Sequence, residues 1–274
     1  DYLDQRVATI TRGIAKEIKR YHNNVSNISL AGGAKYIFSN GLNLSYNIGL
    51  ATRNPGINEL YSAGLHQGVS GIEEGNPDLV REEALKNTLS LGGKINSKIF
   101  YEILYFDQAI ENYIFLNPQN QFRTTIRGSY PVFKYTQTRA RILGLDFTSA
   151  FLFTEKINAS FKASYLKGTD TQNNIPLIYL PSNNLFFSFN YQVPKVGQWS
   201  QITFELNNKY IFEQKNILSE QDFASPPKGY NLTGIKISGE RRLSGNPFNM
   251  FLRIDNLFNV SYRDYLNRLR YFAD

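Results

Sequence analysis

Chemistry has few footholds in this chain. Of its 274 residues two are histidine, His22 and His66, and none is cysteine. Without a thiol there is no disulfide framework and no thiolate metal site. No Gly-x-Ser-x-Gly elbow, phosphate-cradling loop or His-Glu-x-x-His helix occurs. The carboxylates are spread along the chain, so no glycosidase pair can be named, and enzymatic activity is not expected. One grouping remains, in RNPGINELYSAGLHQGVSGIEEGNPDL, residues 53–79. There Arg53 offers a cation, Glu73 and Glu74 offer carboxylate oxygens, and His66 offers an imidazole that ligates zinc or haem iron when neutral. One His and two acids do not make a tetrahedral site by themselves. His66, Glu73, Glu74 and Arg53 are therefore read as candidate ligand-binding residues, with His66 the candidate metal ligand and the metal unknown. The plainer reading makes His66 a solvated loop residue and Gly75-Asn76-Pro77-Asp78 a turn into the next strand.

This stretch has almost no hydrophobic period, whereas the segments around it alternate. In KINASFKASYL, residues 156–166, Ile157, Ala159, Phe161, Ala163 and Tyr165 share one face, and Lys156, Asn158, Ser160, Lys162 and Ser164 the other. Residues 42–53, 97–107, 183–193 and 200–212 repeat the pattern, and further strands are expected near 25–38, 83–93, 137–152, 229–240 and 248–258. These are about ten strands of about ten residues, longer than the usual five or six and suited to a tilted bilayer crossing. The links alternate. Those at 39–41, 92–96, 153–155, 194–198 and 243–247 are short, and those at 54–81, 116–135, 169–182 and 215–228 are long. Outer-membrane barrels have tight periplasmic turns at one rim and long extracellular loops at the other. The expected fold is therefore all-β, an antiparallel transmembrane β-barrel segment.

Charge placement supports the register. Lys162, Glu205 and Lys209 fall on the polar parity, and a one-residue slip would turn them into lipid, at about 2–4 kcal/mol for each lysine at the midplane. Arg139 and Arg141 share parity with Leu143 and Leu145 and are read as lying above the bilayer. Leu232 and Ile235 fall on opposite parities, which makes Gly234 a candidate bulge. A soluble β-sandwich binding module also alternates and is the competing fold. It would pack Phe161, Phe187 and Phe204 between two facing layers.

Composition narrows the class. Aromatic residues make up 14%, almost all of them the 18 Tyr and 20 Phe that favour strands. Mean hydropathy is −0.36, a value that a barrel with alternating faces reaches without being soluble. No apolar run is long enough for a membrane helix. The formal charge of +7 is scattered, with no basic run to suggest a nucleic-acid partner. It suits a charged barrel lumen.

Three stretches resemble the TonB-dependent outer-membrane receptors of Gram-negative bacteria. The first holds Arg53, Pro55, Glu59-Leu60-Tyr61, Gly64, His66, Gly68, Glu74, Gly75-Asn76-Pro77, Leu79 and Glu82. The second is Tyr130-Pro131-Val132-Phe133-Lys134-Tyr135-Thr136-Gln137 with Ala140 and Gly144-Leu145-Asp146. The third is Arg253-Ile254-Asp255-Asn256-Leu257-Phe258-Asn259 with Tyr262, Asp264 and Tyr265. The resemblance implies a 22-stranded barrel of which residues 1–274 are the C-terminal half, about 10–11 strands. Its plug domain, TonB-contacting segment and terminal aromatic strand are expected to be absent, and Asp1-Tyr2 is expected to end an earlier strand. The implied function is active uptake of a scarce nutrient, an iron chelate (siderophore) or other metal complex, with the TonB energy-transducing complex as partner, outer-membrane lipid and lipopolysaccharide as surroundings, and no cofactor. Some haem receptors in this family carry a His between Arg-x-Ala-Pro-like and Asn-Pro-Asn-Leu-like motifs. Here those stretches read Arg53-Asn54-Pro55 and Asn76-Pro77-Asp78-Leu79, which departs from the pattern. A passive porin-type barrel is the alternative function.

Overall fold

The computed structural model describes residues 2–11 and 17–272. Fifteen strands and one short helix follow one another: β1 (Tyr2–Thr11), β2 (Glu17–Ser26), β3 (Ser29–Ile37), β4 (Asn43–Arg53), α1 (Ile57–Tyr61), β5 (Ala63–His66), β6 (Gly71–Glu74), β7 (Glu82–Ile95), β8 (Ile99–Thr125), β9 (Gly128–Leu152), β10 (Ile157–Asp170), β11 (Ile175–Pro176), β12 (Asn184–Val196), β13 (Trp199–Ile211), β14 (Tyr230–Leu243) and β15 (Asn246–Ile254). Ten of them form one antiparallel path, β15-β14-β13-β12-β10-β9-β8-β7-β4-β3, and β1 and β2 pair separately. The sheet is open, with β3 and β15 as its edges. Asp1 lies outside the described residues. Tyr2 lies in strand β1, which runs on to Thr11, so it does not end a strand.

The sheet is a single layer, which decides against the sandwich. Phe161 lies directly across from Phe187, and Phe204 from Tyr191, all on one face. Phe187 and Phe204 remain 44% and 43% exposed, so no second sheet covers them. The same face carries Leu44, Tyr46, Ile48, Leu89, Tyr105, Leu206 and Ile237, the unbroken apolar band that lipid requires. The opposite face is joined by polar cross-strand pairs, Ser45–Ser90 at 2.6 Å, Ser160–Ser188 at 2.8 Å and Asn190–Asn158 at 3.0 Å. Polar groups on the lipid face are satisfied in pairs. Tyr46 donates to Asn87 (2.6 Å) and Asn208 to Thr233 (2.9 Å). Arg141, at the end of β10's pairing, forms a bidentate bond to Asp107 at 2.6 and 2.9 Å.

Three expectations need correction. The segment 116–135 is not a loop: β8 and β9 run on through it as a hairpin closed by the two-residue turn Ile126-Arg127. Bulges between Ile110 and Tyr113 and between Pro118 and Phe122 break its period of two, with Asn112 and Asn120 at positive φ. Gly234 is not a bulge but lies in register with Asn207. The irregularity is in β13, where Gln201 and Ile202 oppose Gly239 alone and Gln201 has φ 51°. A Cβ at Gly234 would come within 2.8 Å of Asn207 Oδ1, so glycine is kept there for close approach. Finally β15 stops at Ile254, and residues 255–267 continue irregularly to a 3₁₀ turn at Arg268–Tyr271.

Candidate ligand-capture site

The wall's long connections gather at one rim, and there they fold onto each other. The scaffold is the β8–β9 hairpin. Pairing with β7 ends at Glu111 and pairing with β10 ends at Ala140. Beyond these the hairpin extends about 45 Å at ~3.3 Å per residue. An unpaired edge that long invites a partner. The loop 54–81 supplies one, with β6 pairing parallel along Val132–Lys134 and β5 pairing β6. Pro131, Val132 and Phe133 beneath it are fully buried, with Ile72 of β6 packed on them. A Cβ at Gly71 would lie 2.8 Å from the Phe133 ring, so glycine lets β6 settle on it.

The base of the loop is an ionic clamp. Arg53 donates to Glu82 (2.5 Å) and to Glu59 (2.8 Å), and Glu59 accepts from Gly56 N (2.6 Å), which starts α1. Burial works against the Arg53 charge, but bonding to Glu82 and Glu59 outweighs it and holds its pKa above the ordinary value. Leu60 of α1 packs with Leu79 and Ile114. Gly75 passes so close that a Cβ would lie 2.5 Å from the Leu60 and Tyr61 backbone. Gln137 fixes the far end of the loop, donating to Val80 O (2.6 Å) and accepting from Val80 N (2.9 Å).

The four candidate residues separate. His66 and Glu73 come together, Nδ1 to Oε1 at 3.1 Å, and the His66 side chain stays 56% exposed while Glu73 is buried. Alternation along β6 sends Glu74 the other way, to Arg123 at 2.6 Å. Arg53 belongs to the clamp at the loop base. Among the described residues no three His, Cys, Asp or Glu side chains cluster as metal ligands.

Sequence reasoning missed the group that ties the rim together. Arg268 donates to Glu73 at 2.6 Å and lies over the Phe133 ring at 5.2 Å. Next to it Arg270 and Asp222 form a buried ion pair. Arg270 also donates to the carbonyls of Tyr265 (3.1 Å) and Ala224 (3.3 Å) and stacks against the rings of Tyr265 and Tyr271. Asp222 accepts from Tyr271 OH (2.5 Å), Phe223 N (2.8 Å) and Tyr179 OH (3.3 Å). Burial first, then the neighbouring tyrosine and Asp222, push the Tyr179 hydroxyl far above its usual range, and burial with Asp222 does the same to Tyr271. Both stay protonated and keep donating. The only signal for this group in the sequence was the third motif, which contains Tyr265 but stops short of the two arginines.

A neighbouring knot is built on Asp170. Its carboxylate accepts from Thr138 Oγ1 (2.6 Å), Gln172 N (3.0 Å), Asn173 N (3.0 Å) and Asn173 Nδ2 (2.8 Å). Burial alone would raise its pKa, but these four bonds together hold it below the usual carboxylate value.

A family model described as TonB dependent receptor-like, beta-barrel, matches residues 1–257. Comparison with curated protein sequences finds no match. Among solved structures, the copper transporter OprC superposes with a TM-score of 0.68 at 17% identity, covering 92% of this chain and 36% of that one. The siderophore receptor PirA from Acinetobacter baumannii gives 0.58 at 15% identity, covering 87% of this chain and 37% of its own. The ferric-catecholate import receptor Fiu from E. coli K12 gives 0.57 at 18%, covering 97% and 38%. At such identities the likeness is one of fold, and the chain spans a little over a third of each neighbour's length. An open, single-layered wall of lipid-length strands agrees with the family match, and the chain belongs to the TonB-dependent receptor-like β-barrel family.

Proposed function

We propose that this chain is wall and rim of an energy-coupled importer in the outer membrane of a Gram-negative bacterium. The rim captures a scarce metal complex, most simply an anionic iron chelate, and TonB drives its passage through a plug. The observation that carries the reading is the folded rim. The loop 54–81, the extended hairpin, residues 171–183 and 212–229 and the segment 255–272 interlock around Phe133 and Asp222. A passive pore gains nothing from covering its mouth with ordered chain, whereas a receptor needs a shaped, rigid surface on which to hold a dilute ligand. His66 is the candidate contact to ligand, Glu73 holds its ring, and Arg53 and Glu74 hold the loop.

Uptake of labelled ferric chelate in cells whose only importer is the full receptor tests this. Uptake is expected to vanish when tonB is deleted. Undiminished uptake without tonB would replace the importer by a porin. The same cells supplied with zinc or haem in place of the chelate establish which cargo His66 serves.

A further inference from the structure

The wall has a notch on its lipid side. β10 pairs with β12 only as far as Ser164–Asn184, yet pairs with β9 up to Asp170. β11 pairs with β10 at Thr169–Asp170, and Leu177 N donates to Gly168 O (3.1 Å), so the unpaired stretch is Tyr165–Lys167. The chain from Leu177 onward turns to the lumen side, where Leu177 and Leu180 pack with Ile110 and Ala140 and against Gly168. The backbone exposed by this gap is capped rather than left bare. Leu166 N donates to Asn183 Oδ1 (2.8 Å), and Asn216 Nδ2 approaches Gly168 O (3.4 Å). The result is a groove of about 770 Å³. Its lower part is apolar, lined by Phe147, Ala163 and Leu185 from the outward-facing parity. Its upper part carries Lys167 and Lys215. Neither lysine has an ion-pair partner among the described residues, and Glu213 is the one carboxylate lining the groove. Tyr165 and Tyr210 also line it, the residue type that settles at a membrane–water boundary.

We propose that this notch binds one lipopolysaccharide molecule of the outer leaflet, with an acyl chain along Phe147, Ala163 and Leu185 and a lipid A phosphate on Lys167 and Lys215. The inference rests on the outer-membrane reading above, which places the long-loop end of the wall in that leaflet. Charge selects the occupant. A zwitterionic phospholipid brings its own ammonium to its phosphate, whereas the phosphates of lipid A arrive without a cation, and the groove supplies two against one carboxylate. The depth of the groove follows from the small side chain of Ala163, placed between Phe147 and Leu185 on the neighbouring strands.

The test uses the full receptor extracted from outer membranes in mild detergent, with bound lipid identified by native mass spectrometry. Wild type is expected to retain lipid A. Lys167→Gln and Lys215→Gln should each weaken retention about fivefold, at the usual strength of one lysine near an anionic lipid surface, and the double variant by more than tenfold. Ala163→Phe should reduce retention by filling the groove without altering charge. Unchanged heat-modifiable mobility on electrophoresis confirms that the variants are folded. Equal lipid A retention by wild type and the double variant overturns the proposal, as does phosphatidylglycerol held with the same lysine dependence. Recovery of the receptor from the inner-membrane fraction would overturn the membrane reading itself, a result visible before any lipid is measured.

Discussion

Replacing Arg270 by Met probes whether the rim is a single folded unit. The Arg270 and Asp222 side chains are 3% and 1% exposed, so the pair is removed from solvent. Losing one partner of a buried pair costs about 3–5 kcal/mol, because the remaining charge is left without compensation. Asp222 would still accept from Phe223 N, Tyr271 and Tyr179, which favours the lower end. Loss of the guanidinium between Tyr265 and Tyr271 adds about 1 kcal/mol. The expected cost is about 4 kcal/mol, or roughly three decades in a local opening equilibrium. Hydrogen exchange of the full receptor in detergent reads this directly. Peptides covering 218–225 and 262–272 should lose protection, while peptides from β12 in the wall stay as in wild type. The double variant Arg270→Met/Asp222→Leu should recover much of the loss, since removing both charges leaves no orphan. Unchanged rim exchange in Arg270→Met would refute the central place given to the pair. A double variant as labile as the single would show that packing, not charge, holds the rim.

Asp170 has a folded pKa below its unfolded value, so its contribution is complete above about pH 4 and fades as pH falls through the lower, folded pKa; exchange protection of residues 171–183 should drop in that acid window and not at pH 6–8. Asp170→Ala should cost about 3 kcal/mol locally and Asp170→Asn about 1, because Oδ1 alone accepts three of the four bonds; equal losses would show that the carboxylate's acceptors are not what matters. Gly75→Ala puts a methyl onto the Leu60–Tyr61 backbone and should destabilise docking of α1 by about 1–3 kcal/mol, measured as faster protease nicking within 54–81. His66→Ala should leave rim exchange unchanged, since Arg268 still anchors Glu73, while lowering uptake of the cognate complex at least about tenfold, the worth of one lost ligand contact near 1.4 kcal/mol; unchanged zinc, haem and ferric chelate uptake would remove His66 from the site.

The wall was legible because lipid imposes a strict rule: every second side chain is apolar, and charges such as Lys162 and Lys209 must keep the other parity. Where lipid ends, the rule ends. The hairpin beyond Ala140 is strand too, but it is buried by neighbouring loops on irregular sides, so Gln119, Asn120 and Gln121 read as loop when they form a bulge. The short turns were legible to within a few residues, since each must reverse the chain quickly, as Ser244-Gly245 does with both residues at positive φ. The links expected at 92–96 and 194–198 fall at 96–98 and 197–198, because β7 and β12 run on to Ile95 and Val196. The site was less legible because its partners are distant in sequence. Glu73 was visible as an acid near His66. Nothing in its surroundings announced Arg268, 195 residues away. Asp222 and Arg270 carried no local pattern, since their meaning lies in a contact that only the folded rim creates.

That same remoteness shapes how the rim can respond to a ligand. Glu73 is held on one side by β6 pairing to the hairpin and on the other by Arg268, whose guanidinium lies over Phe133 of that hairpin. Phe133 in turn meets Phe223 and Tyr271, and Tyr271 meets Asp222 and Tyr179. Among the described residues each long connection is therefore bonded to at least one other, and none of them can swing alone without exposing Phe133 or stranding a buried charge. The cost of such a break, about 3–5 kcal/mol at the Asp222 pair, lies at or above the upper end of what separates populated conformers. On the proposed function, a ligand at His66 would meet a preorganised surface, the loss of freedom that weakens binding by mobile loops having already been met in folding.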